Sequence, residues 1–356
     1  MDNKKIRVLI VDDSVMFRTM LTKSLASDPK IEVIGTAEDP FIAKDKIMSL
    51  KPDVLTLDVE MPKMNGLDFL RKLLPQYSIP VIVITSSPTQ AFEAISAGAV
   101  EFMKKPSHTE TNSWVGELCD NIKSAVSAKV SVPRPASQLS HMSSFAASPK
   151  TTVSPVSIMK TGPIDQNKNR NKIIALGAST GGTEALAAVV KDFPKDLPGT
   201  VIVQHMPAGF TNMYAERLNR QCRMEVREAK DGDRLHTGLI LIGAGDFHLT
   251  VEKDLNGYFV RCKKGEKVSG HCPSVDVMFE SVSKYGANAV GAILTGMGAD
   301  GAEGLLKMRN AGAYTIGQDK ETCVVYGMPM VAYNKGGVVT QAPLTQIASL
   351  IVNKMY

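Results

Sequence analysis

The feature of this sequence that most constrains its fold is a regular alternation of short apolar runs with amphipathic helical patterns. In the first part of the chain, apolar runs fall at residues 6–11, 31–35, 54–57, 81–84 and 100–103. Between the first two runs, Phe17, Leu21 and Leu25 recur at helical spacing, which predicts a helix over Val15–Leu25. Apolar strands that alternate with helices predict a parallel sheet covered on both faces.

The same alternation resumes near residue 171, after a stretch of different composition. Residues 129–170 are rich in Ser, Pro, Ala and Thr and lack a sustained apolar period, so they can form little core. A chain of 356 residues is long enough for two domains with separate cores. We therefore predict one doubly wound α/β domain over residues 1–128, a flexible linker over 129–170, and a second doubly wound α/β domain over 171–356.

Composition and charge argue against several classes of protein. No apolar run approaches the length that spans a bilayer, and the N-terminus leads into a strand-like run rather than a signal peptide, so we expect a cytoplasmic protein. The five cysteines have no Cys-x-x-Cys spacing, which argues against a disulfide framework or a zinc site. The net charge of +5 is mild, and the chain has neither a basic stripe nor a helix-turn-helix pattern for nucleic acid.

Polar residues gather where the strands of the first domain end. Asp12 and Asp13 follow the first strand, Asp58 ends the third, Thr85 ends the fourth, and Lys105 follows the fifth. Three carboxylates in one crevice repel each other unless a cation lies among them, and Mg²⁺ suits oxygen ligands of this kind. Lys105 and the Thr85 hydroxyl could then receive a phosphoryl group carried by Asp58. Helix-capping aspartates and a surface lysine would explain any one of these residues, but not all of them at adjacent strand ends.

In the second domain, three apolar runs are each followed by a residue that hydrolytic enzymes use. Ser179 lies in a Gly-x-Ser-x-Gly turn, and His205 and Asp300 each follow another run. An imidazole can remove the serine proton, and a carboxylate can hold the imidazole in the required tautomer. Backbone N–H groups of Met297 and Gly298 are candidate donors to an oxyanion. The alternative for the glycine-rich turn is a strand-to-helix connection that binds phosphate or no ligand.

Other residues compete for these roles on sequence alone. His271 is the second candidate for the base, although a residue of a substrate loop or a cap would look the same, and His248 also lies near a turn. Asp276 competes as the acid, but its place suits a carboxylate in the first turn of a helix. Cys272 is a weaker candidate for a thiol nucleophile, and His236 has the setting of an exposed loop residue.

Residues 5–125 resemble the receiver domain of bacterial response regulators. The matching motifs are Val11-Asp-Asp-Ser14, Leu57-Asp-Val-Glu-Met-Pro-Lys-Met-Asn-Gly66, Thr85-Ser-Ser87 and Lys105-Pro106. The resemblance implies a flavodoxin-like domain in which Asp58 accepts a phosphoryl group. Asp12 and Asp13 would hold Mg²⁺ together with Asp58, assisted by a main-chain carbonyl near Glu60.

The same resemblance assigns a switching role to Thr85, Phe102 and Lys105, which rearrange or make contact when the domain is phosphorylated. A phosphoryl group adds about −1.5 to −2 charges, which is enough to bias a two-state element that these residues can reach. Without the resemblance, an aromatic residue at 102 is equally a core residue. The phosphodonor implied is the chemotaxis histidine kinase.

The second domain resembles the catalytic domain of the chemotaxis protein-glutamate methylesterases, the CheB family, and the order receiver, linker, esterase is also that of the family. The matching motifs are Gly177-Ala-Ser-Thr-Gly-Gly182, Val203-Gln-His-Met-Pro207, His271-Cys-Pro-Ser-Val-Asp276 and Leu294-Thr-Gly-Met-Gly-Ala-Asp-Gly301. The resemblance implies a Rossmann-like domain with Ser179 as the nucleophile, His205 as the base and Asp300 as the orienting acid. It also implies that Thr180 and Met297 lie at the site.

The reaction implied is hydrolysis of glutamyl methyl esters on chemoreceptors, with deamidation of specific receptor glutamines and no cofactor in the esterase site. We further hypothesise that the receiver occludes Ser179 until Asp58 is phosphorylated. The linker is long and has no recognisable motif, so the way the protein docks on its receptor is open.

Two other functions remain possible on the sequence alone. The protein could be a phosphorylation-dependent adaptor whose second domain only binds signalling proteins, or an esterase or deamidase that acts on another protein.

Overall fold

The first domain is a five-stranded parallel sheet between two layers of helices. The computed structural model describes residues 4–106, 111–130 and 169–356. The strands are β1 (Ile6–Val11), β2 (Ile31–Ala37), β3 (Val54–Asp58), β4 (Val81–Thr85) and β5 (Glu101–Lys104), in the spatial order β2-β1-β3-β4-β5. The helices are α1 (Val15–Leu25), α2 (Pro40–Leu50), α3 (Gly66–Leu73), α4 (Pro88–Ser96) and α5 (Thr111–Ala125). In this flavodoxin-like order, ligands bind at the carboxyl ends of β1 and β3.

The second domain is built on a seven-stranded parallel sheet with an added β-hairpin. Its strands are β6 (Ile173–Ala178), β7 (Thr200–Gln204), β8 (Glu225–Glu228), β9 (Leu239–Ile242), β12 (Ala289–Ile293), β13 (Tyr314–Gln318) and β14 (Thr340–Ala342). The hairpin strands are β10 (His248–Asp254) and β11 (Gly257–Lys263), and the helices are α6 (Gly182–Val190), α7 (Phe210–Asn219), α8 (Val275–Ser283), α9 (Ala302–Asn310), α10 (Met328–Asn334) and α11 (Leu344–Met355). The spatial order is β14-β13-β12-β6-β7-β9-β8, so the connections change direction between β6 and β12. That reversal is where doubly wound sheets bind their ligands.

Several strands extend beyond the apolar runs that predict them. Asp58 pairs with Ile84 between β3 and β4, and Thr85 pairs with Lys104 between β4 and β5. The polar residue that ends β3 and the one that ends β4 therefore belong to the sheet. The ladder bonds use backbone groups and do not depend on the side chain. The sheet therefore holds Asp58 and Thr85 directly, whereas Asp12, Lys105, Ser179, His205 and Asp300 lie in the turns and loops that follow their strands.

The predicted pair of doubly wound domains is confirmed, whereas the elements after residue 310 were not predicted from the sequence. Helix α11 has apolar residues at helical spacing and was nevertheless missed. Strands β13 and β14 and helix α10 were missed because they have seven residues or fewer, too few to show a clear period. The short strand β8 was missed for the same reason, since its sequence is Glu-Val-Arg-Glu. The predicted linker lies outside the described residues except at its two ends.

The two domains are in contact through the face of the receiver-like domain formed by α4 and β5. Phe102 stacks on Phe210 of the second domain with ring centroids 5.3 Å apart, and Phe92 stacks on Tyr214 at 5.8 Å. Below the last helix of the first domain, the Lys129 amide donates to the Val324 carbonyl at 3.1 Å. Apolar residues of both domains consequently form one continuous buried cluster.

Candidate functional sites

Ser179 lies on a tight turn between β6 and α6. Its amide donates to the Thr295 carbonyl at 3.0 Å, and its carbonyl accepts from the Gly182 amide at 2.6 Å. Gly181 has a φ of +75°, a conformation that side chains other than glycine rarely adopt. A Cβ atom on Gly182 would lie 2.1 Å from Oε1 of Gln204, so the turn needs glycine here for close approach. Ser179 is thus half-buried at the N-terminus of a helix, where backbone N–H groups favour negative charge.

Ser179 follows β6, His205 follows β7, and Asp300 lies in the loop after β12. These three strands are neighbours in the sheet, in the spatial order β12-β6-β7. The His205 amide donates to the Ala178 carbonyl at 3.3 Å, which ties the histidine to the residue before the serine. Nε2 of His205 lies 2.7 Å from Oδ2 of Asp300. The structure therefore brings the histidine and the aspartate into direct hydrogen-bond contact at the strand ends.

Asp300 is held as an anion by the N-terminus of α8. It accepts hydrogen bonds from the Ser274 hydroxyl (2.7 Å) and from the amides of Val275 (2.7 Å) and Asp276 (3.0 Å). Burial acts to raise the pKa of Asp300, but the hydrogen bonds from His205, Ser274 and Asp276 outweigh it and the pKa falls to about 2. An ionised Asp300 requires Nε2 of His205 to carry the proton, which leaves Nδ1 as the basic nitrogen.

Nδ1 of His205 is buried and has no hydrogen-bond partner among the described residues. The structure therefore does not join the Ser179 hydroxyl to the imidazole by a hydrogen bond. An unpaired buried nitrogen is costly, and a histidine that acts as a base must keep one nitrogen free to accept a proton. With the two domains in contact, the hydrogen bond between His205 and Asp300 is formed, whereas the hydrogen bond between Ser179 and His205 is not.

The residues predicted to bind substrate surround this turn. Thr180 is buried, and its carbonyl accepts from the Thr295 hydroxyl at 3.0 Å. Met297 is half-buried and Gly298 is exposed, with a φ of +80° and open space where a Cβ would stand. Within the described residues, neither backbone amide of this pair donates a hydrogen bond to protein. Both amides are free to donate to a ligand.

The competing residues fall in three different settings. His271 stacks on His205 with ring centroids 3.6 Å apart, whereas Asp276 accepts from the Gly304 amide at 2.8 Å and fixes the start of α9. The His248 ring hydrogen-bonds with the Glu266 carbonyl, and the exposed His236 ring hydrogen-bonds with the Thr237 carbonyl. Burial raises the pKa of the Cys272 thiol, so the structure offers no thiolate there.

The sequence did not indicate Ser274 or Gln204 as part of the site. Ser274 caps α8 and donates to Asp300, and Gln204 donates to the carbonyls of Ser179 (3.0 Å) and His205 (3.2 Å). A serine just before a helical pattern is a common capping signal, so the sequence can predict this cap. The hydrogen bond from Ser274 to Asp300 could be found only in the structure. Gln204 precedes His205 directly, but its contacts depend on how β6 and β7 pair.

Two glutamates of the first domain approach this site. Burial raises the pKa of the Glu101 carboxyl to about 7, against the smaller opposing effects of the Phe102 amide and of Thr180, the neighbour of Ser179. Glu117 on α5 lies close enough to Lys267 and His205 to interact with them electrostatically. The first domain therefore covers the rim of the Ser179 turn.

The first domain has a second polar site at the carboxyl ends of β1, β3 and β5. Oxygens of Asp12, Asp13 and Asp58 lie within 4.8 Å of one another, and Nζ of Lys105 is 2.7 Å from Asp58 Oδ2 and 3.5 Å from Asp12 Oδ2. Burial and the charge of Asp58 raise the pKa of Asp12 to about 6, and burial also raises the pKa of Asp58. Asp12 Oδ2 is buried without a hydrogen bond. Three clustered carboxylates, one with an unsatisfied oxygen, are a suitable donor set for a hard divalent cation.

Thr85 and Phe102 connect this acidic site to the domain contact. The Thr85 hydroxyl donates to Gln90 of α4 at 2.8 Å, and Phe102 is 7% exposed between Phe92 and Phe210. A movement of the Thr85 side chain therefore affects α4, the helix whose Phe92 contacts the second domain.

Comparison with known proteins identifies the family of each domain. The family model described as the response regulator receiver domain matches residues 8–112, and the one described as CheB methylesterase matches residues 174–351. A protein-glutamate methylesterase/protein-glutamine glutaminase of Syntrophotalea carbinolica is 49% identical over 98% of both chains, and one of Syntrophomonas wolfei is 48% identical over 98% of this chain and 97% of its own. The crystal structure of the Thermotoga maritima CheB methylesterase catalytic domain is 36% identical with a TM-score of 0.50, covering 51% of this chain and 97% of that one.

The two domains and their sites define a response regulator of two-component signalling whose output domain is a doubly wound carboxylic-ester hydrolase. Within that class, the chain belongs to the CheB family, the protein-glutamate methylesterases/protein-glutamine glutaminases. No helix within the described ranges is both long and apolar enough to span a membrane.

Proposed function

We propose that this protein hydrolyses glutamate methyl esters on chemoreceptors and deamidates specific receptor glutamines, and that phosphorylation of Asp58 activates it. The observation that carries the proposal is the full-length relationship to enzymes of that name, together with the histidine–aspartate contact beside Ser179. In this proposal, residues 1–128 are the receiver, 129–170 the linker and 171–356 the catalytic domain. Such a protein acts in the cytoplasm, where it meets the histidine kinase that supplies the phosphoryl group.

The reaction begins when the Ser179 hydroxyl attacks the ester carbonyl. Nδ1 of His205 takes the hydroxyl proton, while Asp300 holds Nε2–H and stabilises the imidazolium that forms. The amides of Met297 and Gly298 donate to the oxyanion of the tetrahedral intermediate, and the Thr180 hydroxyl binds the glutamyl group. The imidazolium then gives its proton to the departing methoxy oxygen, so that methanol leaves and an acyl-enzyme remains.

Water completes the cycle by the same proton route. His205 removes a proton from the water molecule, which attacks the acyl carbon, and the proton returns to Ser179 as the glutamate carboxyl is released. A glutamine amide passes through an equivalent intermediate and releases ammonia, so one site serves both activities.

In the receiver, Asp12, Asp13 and Asp58 would hold Mg²⁺, which when bound neutralises charge around an incoming phosphoryl group. Asp58 is the phospho-acceptor, and Lys105 and the Thr85 hydroxyl are the groups that bind the phosphoryl oxygens. When Lys105 and Thr85 turn to the phosphoryl group, α4 and Phe102 lose their present positions. The stacking of Phe102 on Phe210 then weakens, and the receiver uncovers Ser179.

The enzymatic proposal is tested by methanol release from methylated receptor membranes, with and without a small phosphodonor and Mg²⁺. The wild type releases methanol faster with the phosphodonor, and Ser179→Ala releases none while it still binds the membranes. Undiminished release by Ser179→Ala would remove serine chemistry from the account. A serine-directed fluorophosphonate probe that labels the wild type but not Ser179→Ala separates the enzyme from an adaptor.

The regulatory proposal is tested by deleting residues 1–130. Because the receiver covers the Ser179 turn, the truncated protein has a higher basal rate of methanol release than the full chain. Circular dichroism establishes that the truncated protein is folded. Basal activity that is unchanged or lower in a folded truncation contradicts the covering role of the receiver.

A further inference from the structure

We propose that His271 is a positioning residue for His205: its ring holds the plane of the catalytic imidazole and shields one face of it from water without carrying charge itself. This inference rests on the proposed function only in taking His205 as the base that activates Ser179.

The contact between the two rings is close and nearly parallel. The ring centroids of His205 and His271 are 3.6 Å apart, with an angle of 12° between the planes. His205 has one ring hydrogen bond, to Asp300, so the imidazole could otherwise turn about that single contact. A flat ring lying against one face removes that freedom, because rotation would drive the two rings into each other.

The backbone around His271 is built to hold the ring in place. The amide of His271 donates to the Val268 carbonyl and its carbonyl accepts from the Val268 amide, both at 3.0 Å, which closes a narrow turn. Ser269 and Gly270 in that turn have φ values of +52° and +85°. The chain then continues into Ser274, which donates to Asp300. One loop thus sets both the stacked ring and the carboxylate that orients His205.

The environment of His271 keeps it uncharged. Burial, the nearby His205 and the cation Lys267 lower the pKa of His271, against the opposing charge of Asp300, and the resulting pKa is about 3. Glu101 and Glu117 of the receiver and Asp276 of α8 are further acidic groups at this rim. A neutral neighbour does not repel the imidazolium that forms on His205 during catalysis. The His271 ring makes no hydrogen bond within the described residues, so a phenyl ring can replace it.

The test compares three full-length variants with the wild type. His271→Ala removes the ring, His271→Phe keeps a flat ring that cannot be protonated, and His236→Ala removes an exposed histidine whose ring hydrogen-bonds with the adjacent Thr237 carbonyl. The first measurement is the rate of fluorophosphonate labelling of Ser179 as a function of pH, with phosphodonor and Mg²⁺ present. The second is kcat and KM for methanol release from receptor membranes.

With His271→Ala, kcat and the labelling rate fall by about 10- to 100-fold, because a displaced base costs about that much, while KM changes little. His271→Phe restores the labelling rate at each pH to within about threefold of the wild type. His236→Ala behaves as the wild type.

A wild-type profile in His271→Ala overturns the inference, and so does a loss in His271→Phe as large as that in His271→Ala, which would mean that a ring nitrogen takes part in the chemistry. If thermal melting shows that His271→Ala is unfolded, His271→Asn takes its place as the ringless variant. Labelling depends on Ser179 and His205 but not on the receptor substrate. A wrong substrate assignment therefore leaves this test intact, whereas labelling that persists in Ser179→Ala defeats the proposed function itself.

Discussion

Glu101 should make the contact between the two domains sensitive to pH. Its carboxyl accepts from the Phe102 amide at 3.0 Å and lies near Thr180 across the domain boundary, and burial raises its pKa from 4.5 to about 7. The closed arrangement therefore binds the Glu101 proton more tightly than an open one does. Its contribution to closure is fully present below pH 4.5 and is lost as the pH rises through about 7.

The size of this effect follows from the pKa values. A difference between 4.5 and about 7 corresponds to about 3 kcal/mol, since each tenfold change in a proton-binding constant is worth about 1.4 kcal/mol. This figure is an upper bound, because Glu101 keeps some exposure to solvent and part of its burial comes from its own domain. Closure should thus weaken by up to about 2 kcal/mol between pH 5 and pH 8, which is on the order of 30-fold in the equilibrium between closed and open forms.

The assay is basal methanol release by Glu101→Gln and by the wild type, without phosphodonor, from pH 5 to pH 8. Glutamine has the shape of the protonated side chain and does not titrate, so the variant stays closed throughout. The ratio of wild-type to variant activity, in which pH effects common to both proteins cancel, should rise from about 1 at pH 5 towards 10 or more at pH 8, roughly following the closure equilibrium. Glu32→Gln, which alters an exposed glutamate on β2, is the matched control. A ratio that stays flat across this range refutes the reasoning.

Two further substitutions test the geometry of the catalytic domain. Asp300→Asn removes the anion that keeps the proton on Nε2 of His205, so kcat should fall on the order of 10³-fold or more with little change in KM; a loss below tenfold would mean that Asp300 does not set the tautomer. Gly182→Ala places a Cβ 2.1 Å from Gln204 Oε1 and 2.6 Å from the Ala178 Cβ, so it should lower the free energy of unfolding by about 1–3 kcal/mol and slow the labelling of Ser179. The control is Gly116→Ala, where a Cβ meets no atom within 4 Å and thermal stability should stay equal or rise; equal melting temperatures for the two alanine variants would contradict the crowding at 182.

Much of the fold and of the site could be predicted from local sequence patterns. The buried strands of a parallel sheet are apolar on both faces, so β9 appears as an unbroken apolar run and β1 as an apolar run interrupted only at Arg7, both with the observed bounds. The shortest C-terminal elements could not be found in this way. β14 has only three residues, and α10 has only seven and begins with Met-Pro, so neither shows a detectable period. Such segments acquire their structure from the sheet edge and the core they cover.

The sequence by itself determined which residue types stand at the strand ends, because the strands and the polar residues that follow them are contiguous in the chain. It could therefore nominate Ser179, His205 and Asp300, and separately Asp58. Only the tertiary structure decided that β12, β6 and β7 are neighbours and that Nε2 of His205, rather than Nδ1, meets Asp300. The stacking of His271 and the approach of Glu101 to Thr180 were likewise decided in three dimensions. Strand order and domain contact depend on the packing of surfaces far apart in sequence, and no local pattern records which surfaces meet.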